Sequence, residues 1–483
     1  MIATRTVGER LRRGFSFSLF GQLSTQALAF LIAPLLARVL TPAEFGVISI
    51  ANSVRNVLVL LMPMSAALTV SYFYNLHRSA PALVRRTVGA IACLAIASST
   101  AWLLVSLCAG PFLQRHFLTG FRLAFWPHGA LVIVSAWLLA FQSVPTALLG
   151  ASERHSVIAW TNVALALPQA AFTVIAVLVL RRSAAGHVEA QFFSALLALP
   201  FFLFILRKEA PPVVDRPLWK EAIGITLPLL PHQLALWVLN FSDRLIVGHY
   251  GFAHDLGLYS FGCTVAMILA MVIGAFNSIW SPVFLEQARA NPDAQIHCGD
   301  YATWSFVALA AVTGGLILFA PELIAILGGA RWAGSVPYVA PVLIGYFLQA
   351  TYGVPMLALY HLKRTRRIPL ISVTSGAVNI LVNIALIPRY GVMVAAWSTA
   401  FCYGMMSALA FALGHPLFPL RYQWKPLLVI PLFLAVAFAM QRAHEVGWLY
   451  SPVKAIVWLA AAAGALLWWK HDHPAPSPGS IAR

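Results

Sequence analysis

Charge is what this sequence has least of. Only 10% of its 483 residues are Asp, Glu, Lys or Arg, against about 25% in a soluble globular domain. Acid is scarcer than base, with 15 Asp and Glu against 32 Lys and Arg, a net charge of +17. The five cysteines (Cys93, Cys108, Cys263, Cys298, Cys402) are scattered and show no C-x-x-C or other ligand spacing, which leaves no support for a disulfide framework or a zinc site. Neither H-E-x-x-H nor G-x-x-x-x-G-K-[ST] occurs, so zinc hydrolysis and P-loop ATP use have no support either. Long polar connections are also missing. The longest, about 207–221 and 282–300, are too short to fold around cores of their own. Any function must therefore lie within or upon the apolar part of the chain, and no metal or other cofactor is expected.

That apolar part is 60% of the residues, and the mean hydropathy is +0.81. Apolar runs recur along the whole chain, each long enough to cross about 30 Å of hydrocarbon at 1.5 Å per residue. They lack the alternation of barrel strands, so helices are the remaining way to satisfy a backbone in lipid. The expected fold is all-α, a polytopic membrane helical bundle of about fourteen spans. Those spans are 14–37, 46–74, 87–110, 123–149, 157–180, 189–206, 222–249, 257–281, 301–326, 338–360, 368–388, 392–414, 424–441 and 448–469. The first follows a basic segment (Arg10, Arg12, Arg13) and runs for about 24 residues, longer than the ~7–15 of a secretory leader, so it reads as a retained span.

The basic residues set the orientation. With the N-terminus inside, 21 Lys and Arg fall on the cytoplasmic side and 9 outside, with Arg55 and Arg244 within spans. That bias over short loops places both termini in the cytoplasm. It also argues against nucleic acid as the reason for the positive charge, because most of it lies where loops meet anionic lipid headgroups. Trp126, Trp219, Trp280, Trp424, Trp448 and Trp469 near span ends read as interfacial anchors.

A weak internal repeat is present. LLARVLTPAEFGVISIA (35–51) and SDRLIVGHYGFAHDLGLYSFG (242–262) align Gly46 with Gly257 at an offset of 211, and Asn162 with Asn379 at 217. Two six-span halves starting on the same side of the membrane would be parallel repeats. A chance match of Gly and Asn at helix ends is the alternative.

These same tracts, with IWSPVF (279–284) and NIALIPRYGVMVAAWSTAFCYG (383–404), resemble the polysaccharide-transport flippases of the multidrug/oligosaccharidyl-lipid/polysaccharide exporter superfamily. The resemblance runs in order to about residue 410. It implies two pseudo-symmetric six-helix lobes around a central cavity, 1–206 and 222–414, joined by a cytoplasmic linker at 207–221. An additional span pair at 415–469 and a polar cytoplasmic tail at 470–483 would complete the chain. It also implies a function in the bacterial inner membrane. Oligosaccharide repeat units linked through diphosphate to a polyprenyl lipid would pass from the cytoplasmic to the periplasmic leaflet, for lipopolysaccharide O-antigen or exopolysaccharide synthesis. Implied partners are that lipid-linked oligosaccharide, membrane lipids, and the glycosyltransferases and polysaccharide polymerase of the pathway.

An anionic cargo needs a polar, cationic path, and ionisable groups within spans are costly enough that they usually face one. Arg55 lies about 14 Å into its span, with Asn52 and Asn56 on the same face. An Arg that snorkels, or that bonds a backbone carbonyl, is the structural alternative. Gln233, Asn240 and Arg244, with Trp237, are spaced to share a helical face. Interhelical hydrogen bonding is the competing account there, and packing is favoured for Ser18, Gln22, Gln26, Asn379 and Asn383. His128 and His232 read as structural donors before proton carriers, and the His471–His473 tail reads as exposed polar chain.

Three rival functions follow from the same residues. A cation-coupled drug exporter of the superfamily needs intramembrane carboxylates, and only Asp243, with Glu322 near a span end, presents one. A flippase for the peptidoglycan lipid precursor shares the span number and the diphosphate chemistry. A membrane enzyme such as a glycan polymerase is disfavoured by short outer loops with few paired carboxylates, so the chain is not expected to be an enzyme.

Overall fold

In the computed structural model, the residues described are 24, 28, 30–291, 293–364, 366–442 and 451–472. The described residues form helices and no strand. Among the described residues, twelve helices are long and apolar enough to cross a membrane, and a thirteenth candidate is a pair bent by 41° at Pro228–Leu230. The protein is thus a multi-pass membrane helical bundle. Most of the first expected span lies outside the described residues, and its end is α1, Phe30–Val39. Ser18, Gln22, Gln26, Trp448 and His473 also lie outside them.

The chain divides into two compact units, one of Met1–Phe261 with Ser372–Ser398 and the other of Gly262–Ile371 with Thr399–Arg483. In the first unit, α2 (Pro42–Leu61) starts at a capping box. Glu44 N–H donates to Thr41 Oγ1 at 3.3 Å, and Thr41 N–H donates back to Glu44 Oε2 at 2.7 Å, satisfying donors that a helix start leaves unpaired. The chain then breaks at 62–65, where Met64 and Ser65 take left-handed φ of 49° and 54°, and resumes as α3, Ala66–Leu76. The expected continuous span 46–74 is therefore two helices. Pro63 explains the break, since it supplies no N–H and its ring crowds the preceding turn. The same unit holds α4 (Pro81–Phe117), α5 (Ala130–Ala140), α6 (Ser143–Ala151), α7 (His155–Val174) and α8 (Ser183–Glu209). It continues with α9 (Arg216–Trp237), α10 (Asp243–His249) and the start of α11 (Ala253–Ala290). Val70, Phe73, Val88, Ile91, Val144, Leu148, Leu206 and Ala222 form one buried core joining α3, α4, α6, α8 and α9.

Helix boundaries shorten the expected linker 207–221 to residues 210–215. This segment is strapped along α4. Val213 N–H donates to Gly89 O at 3.2 Å, Trp219 Nε1 to Ala90 O at 2.9 Å, and Arg86 pairs with Asp215 at 2.7 Å. Asp215 in turn caps α9 by accepting from Leu218 N–H at 3.3 Å. The hydrogen bonds from Arg86, and then from Leu218, hold the Asp215 carboxyl below the usual carboxylate range.

The two aligned tracts touch one another in the first unit. Ser260 Oγ donates to Ser49 Oγ at 2.7 Å, across the same separation of 211 residues that relates Gly46 to Gly257. Both glycines are needed, because a Cβ on Gly46 would strike Ala253 O and one on Gly257 would strike Pro42 O. Small residues at both positions let two backbones approach closely where lipid supplies no hydrophobic drive.

The second unit is built around α12, Ala294–Leu318. The expected span 301–326 ends there, because Pro321 starts a separate helix, α13 (Ala320–Gly328). Then come α14 (Val336–His361), α15 (Arg367–Tyr390) and α16 (Met393–Gly414), and Ser372–Ser398, from within α15 to the start of α16, belongs to the first unit. The terminal pair, α17 (Trp424–Arg442) and α18 (Ser451–Asp472), docks on α12. The Phe433 ring lies on Gly314, Trp458 lies on Gly315, and Trp458 Nε1 donates to Ala311 O at 2.8 Å. Lys454, fully buried, bonds Glu322 at 2.9 Å.

One other expectation changes. Trp126, Trp424 and Trp469 are exposed as interfacial anchors should be, but Trp280 is buried, stacked on Phe276 and tilted against Phe284, each at 5.9 Å. Among the described residues all five cysteines are free.

Candidate functional site

α2 and α8 run in the same direction and in register. Ser183 Oγ donates to Glu44 Oε1, and Gln191 Nε2 donates to Asn52 Oδ1 at 2.6 Å. Both pairs are 139 residues apart, so the second lies two turns, about 12 Å, below the first. One face of α2 (Asn52, Arg55, Asn56) therefore meets one face of α8 (His187, Gln191, Ser194), since residues three and four apart share a helical face.

The polar contacts continue within this interface. Gln191 Nε2 lies 2.9 Å from His187 Nε2, and Ser194 Oγ donates back to Gln191 O at 3.0 Å. Gln191 and His187 are 2% and 8% exposed. Arg55 lies within electrostatic reach of His187. Three atoms of this cluster, Arg55 Nε, His187 Nδ1 and Gln191 Oε1, are buried without a hydrogen-bond partner among the described residues. Asn56 sits beside them, half-buried.

Arg244 is different. Its guanidinium bonds the carbonyl oxygen of Asn240, lies 3.2 Å from Asp243 Oδ1, and covers the rings of Phe241 and Tyr259 at 5.3 and 5.7 Å. Tyr259 OH closes the group by donating to Asp243 Oδ2. Asn240 spends its amide on Leu236 O at 2.7 Å. The wide turn at Val238–Ser242 adds a residue to this stretch, so the expected stripe from Gln233 through Arg244 does not continue straight. Gln233 is half-buried on α9.

The asparagines of α15 bond to their neighbours. Asn383 Oδ1 accepts from Ser398 at 2.6 Å, Asn383 Nδ2 donates to Asn379 Oδ1 at 3.2 Å, and Ser242 Oγ reaches the same oxygen at 3.4 Å. His232 Nδ1 is 2.8 Å from Ser372 Oγ. Both fit the packing roles expected of them.

Reading the sequence missed His187, Gln191 and Glu189. Glu189 accepts from Arg182 at 2.8 and 2.9 Å and lies 3.6 Å from His128 Nε2. The signal for His187, Gln191 and Ser194 was their spacing of four and three on a helix whose start was placed at 189, two residues too late to include His187. Asp243, Glu189 and Glu322 thus each face a basic side chain. No group of three or more His, Cys, Asp or Glu that could hold a metal occurs among the described residues.

These membrane-length helices, with polar side chains paired between them, form a fold that solved structures share. The chain superposes with a TM-score of 0.74 on a structure titled lipid II flippase MurJ in an inward closed conformation, at 11% identity over 95% of this chain and 99% of that one. A structure titled as the inward-facing conformation of a multidrug resistance MATE family transporter of the MOP superfamily gives 0.62, at 12% identity over 86% of this chain and 96% of that one. The family profile described as polysaccharide biosynthesis protein matches residues 11–287, and the chain belongs to that family. It is also 22% identical over 380 residues, 76% of this chain and 89% of the relative, to a Haemophilus influenzae protein described as Lsg locus putative protein 1.

Proposed function

We propose that the protein is a flippase that moves polyprenyl-diphosphate-linked oligosaccharide repeat units between leaflets for surface polysaccharide synthesis. It would work by alternating access, with 1–206 and 222–414 as its related halves, in the bacterial cytoplasmic membrane with both termini inside. Arg55 carries the reading. A guanidinium whose Nε is buried without a partner, beside a cluster of amides and a histidine, is suited to an anion rather than to a cation. Arginine pairs with phosphate oxygens through a planar fork of donors. Asp243, Glu189 and Glu322 instead face Arg244, Arg182 and Lys454, which argues against cation-driven drug export. Asn52 and Asn56 would help position the diphosphate, while Arg244, Asn240 and Gln233 serve the packing of their own region. Glycosyltransferases that supply the cargo and a polymerase that consumes it are the expected partners.

The likeness to the lipid II flippase favours a second reading, a peptidoglycan precursor of the same diphosphate chemistry. Genetics separates the two. Deleting the gene is expected to strand lipid-linked repeat units in the inner leaflet while growth continues, and Arg55→Ala is expected to fail to restore export although it inserts normally. Arrested cell-wall synthesis would point to the second reading, and drug sensitivity with normal polysaccharide export would overturn both. Rescue by Arg55→Lys would show that charge suffices, and its failure that the guanidinium geometry matters.

A further inference from the structure

The α2–α8 cluster contains more than an anion site requires. Arg55 alone could meet a phosphate. Its neighbours add a hydrogen-bonded series from Asn52 through Gln191 to His187, with separations of 2.6 and 2.9 Å. A series that served only packing would satisfy all of its members, because an unpaired polar atom away from water is expensive. Here one end of the Gln191 amide is held and the other is left without a partner, as is His187 Nδ1.

The free atoms also differ in kind. Arg55 Nε is a donor, Gln191 Oε1 an acceptor, and the imidazole nitrogen either. Phosphate oxygens can only accept from the first. An acceptor such as the amide oxygen needs a ligand that donates, and a sugar next to a phosphate carries such donors as hydroxyl or amide N–H groups.

We propose that the α2–α8 interface reads the junction between the diphosphate and the first sugar of the cargo. Arg55 takes phosphate oxygens, and the free end of Gln191, held in place by Asn52 and His187, pairs with a donor on the phosphate-bearing sugar. Gln191 is then a specificity-determining residue that separates loaded carrier lipid from the bare diphosphate. This inference rests on the flippase reading above.

The test uses the full chain purified into lipid nanodiscs and two probes, a bare polyprenyl diphosphate and the same lipid carrying one sugar. The wild type is expected to prefer the sugar-bearing probe by about tenfold, the reach of a single well-placed buried hydrogen bond. Gln191→Leu is expected to bring that ratio to within about twofold, chiefly by losing affinity for the sugar-bearing probe. Arg55→Ala is expected to weaken both probes by more than tenfold. Gln191→Asn, which keeps the amide but withdraws it by one methylene, is expected to lose the preference as well and decides the matter if the leucine variant fails to insert. A preference retained in both Gln191 variants overturns the inference. Equal binding of the two probes by the wild type overturns it while leaving the flippase reading standing, and no binding of either probe overturns both.

Discussion

Replacing Glu322 and Lys454 singly and together tests how the terminal helices are held. The Lys454 ammonium is fully buried and its carboxylate partner, 23% exposed, stands 2.9 Å away, with Ser451 Oγ donating to the same oxygen at 2.7 Å. Removing one member of a fully buried pair costs about 3–5 kcal/mol, because the other charge is left unpaired away from water. The partial exposure of Glu322 and the further contacts of both residues reduce that, so Glu322→Leu should destabilise the docking of α18 by about 2–3 kcal/mol. Lys454→Met removes the buried charge itself and should cost about 1 kcal/mol, since Glu322 keeps Ser451 and some solvent. The double variant replaces the pair with apolar groups and should fall within about 1 kcal/mol of the wild type. The effects are therefore non-additive, as expected for residues in contact. Thermal unfolding in detergent micelles, followed by tryptophan fluorescence and by size-exclusion recovery, should rank Glu322→Leu lowest and place the double variant above it. Trp458, bonded to Ala311 O on the docking surface, makes the fluorescence sensitive to this helix. A double variant less stable than Glu322→Leu would refute the reasoning, because it would mean that the lysine contributes without its charge being compensated.

Two further predictions concern the first unit. Gly257→Ala puts a methyl group against the Pro42 carbonyl oxygen, and since backbone must move to admit it, stability should fall by about 3 kcal/mol, read as loss of monodisperse protein on heating. An unchanged melting profile would show that the α2–α11 approach is looser than it looks. At the Arg86–Asp215 strap the folded carboxyl titrates below its ordinary value of 3.8, so its contribution is fully present above that value and is lost as pH falls through the lower, folded one. Protease cleavage within 210–215 should accordingly be slow at neutral pH in the wild type and faster in Asp215→Asn. Equal rates in the two proteins would remove the strap from the argument.

Helix and span were legible because they are carried by many residues at once. Apolar runs long enough for a bilayer admit few alternatives, and the 211-residue offset could be seen because glycine is required on both sides of one contact, Gly46 and Gly257. What escaped was carried by single residues. Pro63 and Pro321 each divide an expected span, yet a proline within a membrane helix is often tolerated, and their effect here depends on the turns they meet. Arg244 and Arg55 looked alike as intramembrane cations. Arg244 has its carboxylate next to it in sequence, and only the folded chain shows how completely Asp243, Tyr259 and Phe241 engage it. Arg55 has no acid next to it in sequence and no ion pair among the described residues, and His187, within its electrostatic reach, lies some 130 residues away on a helix whose start was set too late. The paired register of α2 and α8, fixed by Glu44–Ser183 at one end, is what brings them together. Since Asp243, Glu189 and Glu322 each have a basic residue against them, the scarcity of acid that marks the sequence has a direct structural counterpart. It leaves a guanidinium nitrogen and an amide oxygen buried without partners in the same interface, and that pair of unmet needs, one donor and one acceptor, describes a phosphate with a sugar attached better than either alone.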